Sequence, residues 1–144
     1  MQKTRMRVKY VRQEDQTSCG IACVAMLTGQ THRTVMQAAR AIFNWGPRKQ
    51  NFYTTSGQLR RLLAHFGVDS GRGRSVRDWD KLPDRAIVAI NPGKDGKYWH
   101  WVVFCRSKGQ TCVLDPESEP KQRGKRTSFR GMTLRSFFLI SIST

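Results

Sequence analysis

Residues 13–29 read QEDQTSCGIACVAMLTG: a polar run, then Cys19, then a glycine and an apolar segment of helical period. Ile21, Ala22, Ala25 and Met26 fall on one helical stripe, and Gly29 is a natural stop because glycine reaches the left-handed backbone that ends many helices. Cys19 therefore stands at a helix N-terminus, where the helix dipole and free N–H groups favour the thiolate over the thiol. Gly20 is expected to leave room for a substrate backbone. A free cysteine is also commonly buried as a small apolar residue. The stretch alone balances the two readings, nucleophile or core.

Working outward, Thr31 is placed to cap a second helix with Val35, Met36, Ala39, Ile42 and Phe43 on one face, ended by Asn44-Trp45-Gly46-Pro47. Thr55 or Ser56 caps a third, with Leu59, Leu62, Leu63 and Phe66 apolar and Gly67 as the stop. Before Cys19, residues 1–12 alternate basic and apolar, as a short strand would. After Gly67 the character changes. Residues 71–77 are basic and glycine-rich, hence a loop. Residues 86–90, 98–106 and 111–115 read as strands, the last two joined by a turn at 107–110. Residues 116–131 are polar and basic without core periodicity. Thr133 is expected to cap a short helical turn, and 138–142 to return as a last strand. Helices first and antiparallel strands after predict an α+β fold, with an N-terminal helical lobe and a C-terminal antiparallel sheet lobe, as a single domain over residues 1–144.

A nucleophilic cysteine needs a histidine from elsewhere in the chain. His32 and His65 lie in helical segments with polar neighbours and read as surface or helix-end residues. His100 sits inside the strand YWHWVVF, where a half-buried imidazole needs a partner for its ring nitrogens. It is either a satisfied core histidine or a general base for Cys19. A hairpin turning at Lys108-Gly109 sets Cys105 against Cys112, so that paired residue numbers sum to a constant. His100 then lies opposite position 117, and Asp115 becomes its diagonal neighbour on the same face. Asp95, in the turn-like GKDGK, is the competing carboxylate. In the loop before Cys19, Gln13 can aim a side-chain amide at an oxyanion beside the Cys19 backbone N–H; Gln16 is the second choice.

Q-x5-C-G-x-A over residues 13–22, H-W-V-V over 100–103 and L-D-P over 114–116 resemble the papain-like leader peptidases of bacteriocin exporters, which cut after a double glycine. Residues 55–68 and the Thr-x-x-x-Phe of 133–137 are similar to further elements of that family. The resemblance covers residues 10–142. It implies a papain-like cysteine protease fold with Cys19 as nucleophile, His100 as general base and then acid, Asp115 orienting His100, and Gln13 in the oxyanion hole. It also implies a peptide substrate with a glycine-glycine motif and no metal or organic cofactor. Ser18 departs from the family, which has Asp there. Related stand-alone domains act as bacterial effector toxins, so an acidic inhibitor (immunity) protein is a natural partner.

The charge is the other signal: 26 Lys and Arg against 10 Asp and Glu give +16 over 144 residues. Such a field favours acidic partners. A basic nucleic-acid-binding module is the second reading, with 71–77 and 121–130 on phosphates and Trp45, Phe52 and Tyr53 stacking bases. A deamidase or transglutaminase-like enzyme would use the same triad. Four cysteines (19, 23, 105, 112) are too few for a disulfide scaffold, and C-x3-C within a helix is a poor match to zinc knuckles. Cys23 reads as helix core. Trp99, Trp101 and Trp45 are candidates to line a substrate groove, but Trp99 and Trp101 alternate with His100 and read first as core or sheet-packing residues. No signal peptide and no apolar run of spanning length is visible. The expectation is a soluble chain, cytoplasmic or delivered into a target cell by a signal-independent secretion system.

Overall fold

The structure, a computed structural model, describes residues 8–96, 98–117 and 125–141. Three helices come first: α1 (Cys19–Thr28), α2 (His32–Ile42) and α3 (Ser56–His65). Every residue of α1 is buried, and it packs across the sheet and against both other helices. Gly29 ends α1 in the left-handed conformation, at φ 72°, with its N–H on the Ala25 carbonyl. Thr31 caps α2 by accepting from the Thr34 N–H. Thr55 and Gln58 form a reciprocal capping box on α3.

The strands are β1 (Asp69–Ser70), β2 (Arg74–Ser75), β3 (Arg85–Ile90), β4 (His100–Ser107), β5 (Gln110–Leu114), β6 (Lys125–Arg126) and β7 (Leu134–Ser141). They form one antiparallel sheet in the order β1-β7-β3-β4-β5-β6, with β2 also paired to β7. This is the α+β, papain-like arrangement expected. The β4–β5 hairpin has the inferred register, with Cys105 opposite Cys112 and Val103 opposite Leu114. Its two loop residues, Lys108 and Gly109, both have positive φ, the backbone of a two-residue turn matched to strand twist.

Two cores lie on the two faces of the sheet. Ile87, Ala89, Trp101, Val103, Phe138 and Ile140 meet the three helices. Val88, Val102, Phe104 and Val113 face the other way, under Val76, Leu82 and Met132. There Trp79 and Phe129 stack at 4.2 Å, and Arg106 donates to the Leu82 carbonyl at 2.7 Å, fastening that cover.

Three local expectations are corrected. Residues 8–12 form no strand; Val8, Tyr10 and Val11 pack against the helix-side core instead, and residues 1–7 lie outside the described residues. Thr133 caps no helix. Its N–H goes to the Asn91 side chain, and β7 begins at once, four residues earlier than read. β7 is paired on both sides, and ladder bonds along both edges outweigh a local capping preference. The 71–77 loop contains the short strand β2. Residue 142 and much of the 116–131 segment (118–124) lie outside the described residues.

Candidate active site

α1 brings its N-terminus to the end of β4 that β5 does not reach. β5 stops at Leu114, opposite Val103, so Trp101 lies beyond its last paired residue. The Trp101 N–H donates instead to Cys19 Sγ at 3.4 Å. Cys19, 5% exposed, is thereby fixed against the first residues of β4. His100 begins that strand, and its Nε2 stands 2.7 Å from Asp115 Oδ1. Asp115 Oδ1 also accepts the Glu117 N–H at 2.9 Å, which orients the carboxylate. The structure thus brings Cys19, His100 and Asp115 together from α1, β4 and the residue after β5.

The electrostatics of His100 follow from these contacts. Burial by itself would lower its pKa. Hydrogen bonds to Asp115 and to the Cys19 side chain, with the charges of both, outweigh burial and raise it to about 10. An imidazolium is therefore favoured beside the sulfur. With Nε2 committed to Asp115, Nδ1 is the nitrogen left to exchange a proton with the thiol. A second carboxylate, Glu117, lies 3.8 Å from Nδ1. Glu117 carries no motif in the sequence, although the hairpin register places position 117 opposite His100.

Gln13 is 9% exposed and sits in the loop before α1. Its backbone N–H bonds the Pro116 carbonyl, joining that loop to the end of the hairpin. Its side-chain Nε2 donates to the Asp15 carbonyl at 2.7 Å, which leaves one N–H of the amide unassigned. Gln16 is exposed on the same loop. Asp95 stays in the turn after β3 and is not the carboxylate on His100.

A cavity of about 110 Å³ opens at Cys19, lined by Tyr53, Thr54, Thr55, Tyr98, Trp99 and Trp101. Tyr53 and Tyr98 are both exposed, and their rings meet 5.0 Å apart. Trp101 is both a core residue and a wall of this cavity. Trp99 joins it, held from behind by the Arg135 guanidinium 4.2 Å from its ring centroid. The 53–55 contribution could not be read from sequence, because no pattern links the residues before α3 to the start of α1. Gly20 plays a different part from the one expected. A Cβ there would lie 2.2 Å from Thr54 Oγ1 and 3.1 Å from Trp101, so glycine is required by packing of the cavity wall against α1.

Two stacking candidates of the nucleic-acid reading are engaged internally. Phe52 is buried, and Trp45 packs between Phe43 and Phe52 at 5.4 and 5.7 Å. Cys23 is fully buried in α1, as expected, and Cys105 and Cys112 form no disulfide but meet thiol to thiol across the hairpin. Among the described residues, no group of three or more His, Cys, Asp or Glu could hold a metal ion, and no helix is long and apolar enough to cross a membrane. His65 is exposed as read, but His32 is buried, against expectation.

Comparison with known proteins places the fold. Among solved structures, the peptidase domain of Streptococcus ComA, a bifunctional ABC transporter involved in a quorum sensing pathway, is similar with a TM-score of 0.64 at 17% identity. The match covers 94% of this chain and 99% of that one. No curated protein matches. Residues 7–132 match the model of the Peptidase C39 family. The chain belongs to the Peptidase C39 family and is a cysteine peptidase.

Proposed function

We propose that this peptidase hydrolyses peptide bonds through Cys19, His100 and Asp115, after small residues of the glycine-glycine kind. The observation that carries the reading is the chain of contacts from Cys19 Sγ through the His100 imidazole to Asp115, closed by the 2.7 Å bond. The Cys19 sulfur attacks the scissile carbonyl carbon, and the electron pair moves to oxygen. The Cys19 backbone N–H and the remaining amide N–H of Gln13 receive that oxyanion. His100 then passes its proton to the leaving amine as the C–N bond breaks, giving a thioester. Water attacks the thioester with His100 as base, and Cys19 is regenerated. Asp115 holds the imidazole in the tautomer that both steps need.

The walls of the cavity beside Cys19, four aromatic rings and two threonines, support the preference for small residues. The +16 charge supports an acidic substrate or an acidic inhibitor protein, and with it an effector role against a rival cell, drawn to its target by electrostatic steering. A fluorogenic peptide with Gly-Gly before the reporter tests the specificity. The expected result is cleavage that falls when either glycine becomes valine; equal cleavage of both peptides would reject it. Mass spectrometry of a glutamine-containing peptide separates this chemistry from side-chain deamidation or transamidation by the same triad.

A further inference from the structure

His32 is 6% exposed, sits at the start of α2, and takes no direct part in the scheme above. Its Nε2 lies 3.1 Å from Ser18 Oγ, and its Nδ1 lies 3.3 Å from a Glu14 carboxylate oxygen. Burial holds the imidazole below its usual 6.5, against the pull of Glu14 and Asp15, so it is neutral at pH 7. A carboxylate can only accept, so Nδ1 carries the proton and Nε2 accepts the Ser18 hydroxyl. Ser18 is wholly buried, so this Ser-His-Glu chain is no second hydrolytic site.

Ser18 occupies the N-cap position of α1 but makes no cap bond, and its backbone, at φ −100° and ψ 27°, lies outside the extended conformation from which Thr31 and Thr55 cap their helices. Serine is among the strongest capping residues, and its hydroxyl would ordinarily take the N–H of the second or third helical residue, here Gly20 or Ile21. Here His32 holds that hydroxyl, and the Ser18 backbone that accompanies the bond keeps it off those N–H groups. The first-turn N–H groups thus point toward the Cys19 end of the helix without a side-chain acceptor from Ser18, and the positive end of α1 is left to the sulfur.

We propose that His32 is a positioning residue for the reaction at Cys19: by holding the Ser18 hydroxyl away from the end of α1, it reserves the first-turn N–H groups for the thiolate. This rests on Cys19 being the nucleophile. The test is the alkylation rate of Cys19 by iodoacetamide, read by mass spectrometry, alongside kcat and KM on the Gly-Gly peptide.

In His32→Asn the amide reaches only toward the former Nδ1. Ser18 is released to cap, and alkylation and kcat fall about 3- to 30-fold with KM little changed. In His32→Gln the longer side chain reaches the former Nε2 position and restores both. Ser18→Ala has no hydroxyl to redirect, stays near the wild-type rate, and erases the loss in the Ser18→Ala/His32→Asn double variant. A His32→Asn rate equal to wild type, or a loss that Ser18→Ala does not erase, overturns the proposal. Should His32→Asn fail to fold, Glu14→Ala carries the test, because Glu14 is 66% exposed. It loosens His32, so it slows alkylation in the same direction, and not in the Ser18→Ala background. An unchanged rate overturns the proposal. If instead Cys19→Ala retains peptidase activity, the nucleophile reading has failed, and that result is separate from the comparison of alkylation rates.

Discussion

α1 and α2 are nearly equal in length and adjacent in the chain, and they are built on opposite plans. All ten residues of α1 are buried, and its N-cap serine caps nothing. Only His32, Val35 and Ala39 of α2 are buried, and its N-cap threonine makes a regular cap bond. α2 has the means to hold itself together at its own start. α1 lacks them at its start and is held there by surrounding packing, which most helices in proteins need. What α1 gains is an N-terminus whose N–H groups remain uncapped at the position of Cys19.

The sharpest way to break this comparison is to remove what the open terminus presents. Cys19→Ala should abolish peptidase activity, by about 10⁴- to 10⁶-fold, while leaving the fold intact. Single-turnover cleavage with thermal melting of the same sample checks both halves. Next, α1 should depend on packing along its whole length, and α2 only along its buried stripe of His32, Val35 and Ala39. Ile21→Ala, at a fully buried position, should cost about 2–5 kcal/mol in urea unfolding. Gln37→Ala, at an exposed position of α2, should stay within about 0.5 kcal/mol. Equal costs would mean that α1 is not held as described.

Two histidines, His32 buried and His100 half-buried, extend the comparison to pH. His100, beside the start of α1, is raised from 6.5 to about 10. Its stabilisation is therefore fully present below pH 6.5 and is lost as pH rises from there through about 10. His32, at the start of α2, is shifted down by burial, so the unfolded chain takes the proton first and stability is lost as pH falls below 6.5. The stability difference between wild type and His100→Gln should shrink toward pH 10. The difference between wild type and His32→Gln should shrink toward acid pH. Melting curves across pH read both, and parallel trends would contradict the opposed environments.

Much of this arrangement is legible in local sequence. The caps at Thr31 and Thr55, the stop at Gly29 and the β4–β5 register all follow from short-range rules. The hairpin register alone puts Asp115 beside His100. Other features depend on what the chain brings from a distance. His32 looks like a surface residue because its own helix turn is polar; burial comes from Ser18 and Glu14, fourteen and more residues upstream. The cavity walls at Tyr53, Thr54 and Tyr98 lie in loops, which carry no periodic pattern. The start of β7 was hidden for the reverse reason. Thr133 offers a valid helix cap, and only the pairing of Leu134 with Ile90 decides against it.

The smallest effect isolates the cap itself. Thr31 Oγ1 accepts the Thr34 N–H at 3.0 Å and donates to Thr34 Oγ1 at 2.9 Å on an exposed helix end, so Thr31→Ala removes two solvent-accessible bonds and creates no cavity. The expected cost is about 1 kcal/mol in urea unfolding. Thr31→Asn should recover most of it, because asparagine caps as well as threonine. In both variants the folded enzyme should keep its kcat, since among the described residues the Thr31 side chain bonds only Thr34. A fall in kcat without a matching loss of stability would mean that the start of α2 is coupled to Cys19 through more than His32. The division between a helix that caps itself and a helix that leaves its end open would then have to be redrawn.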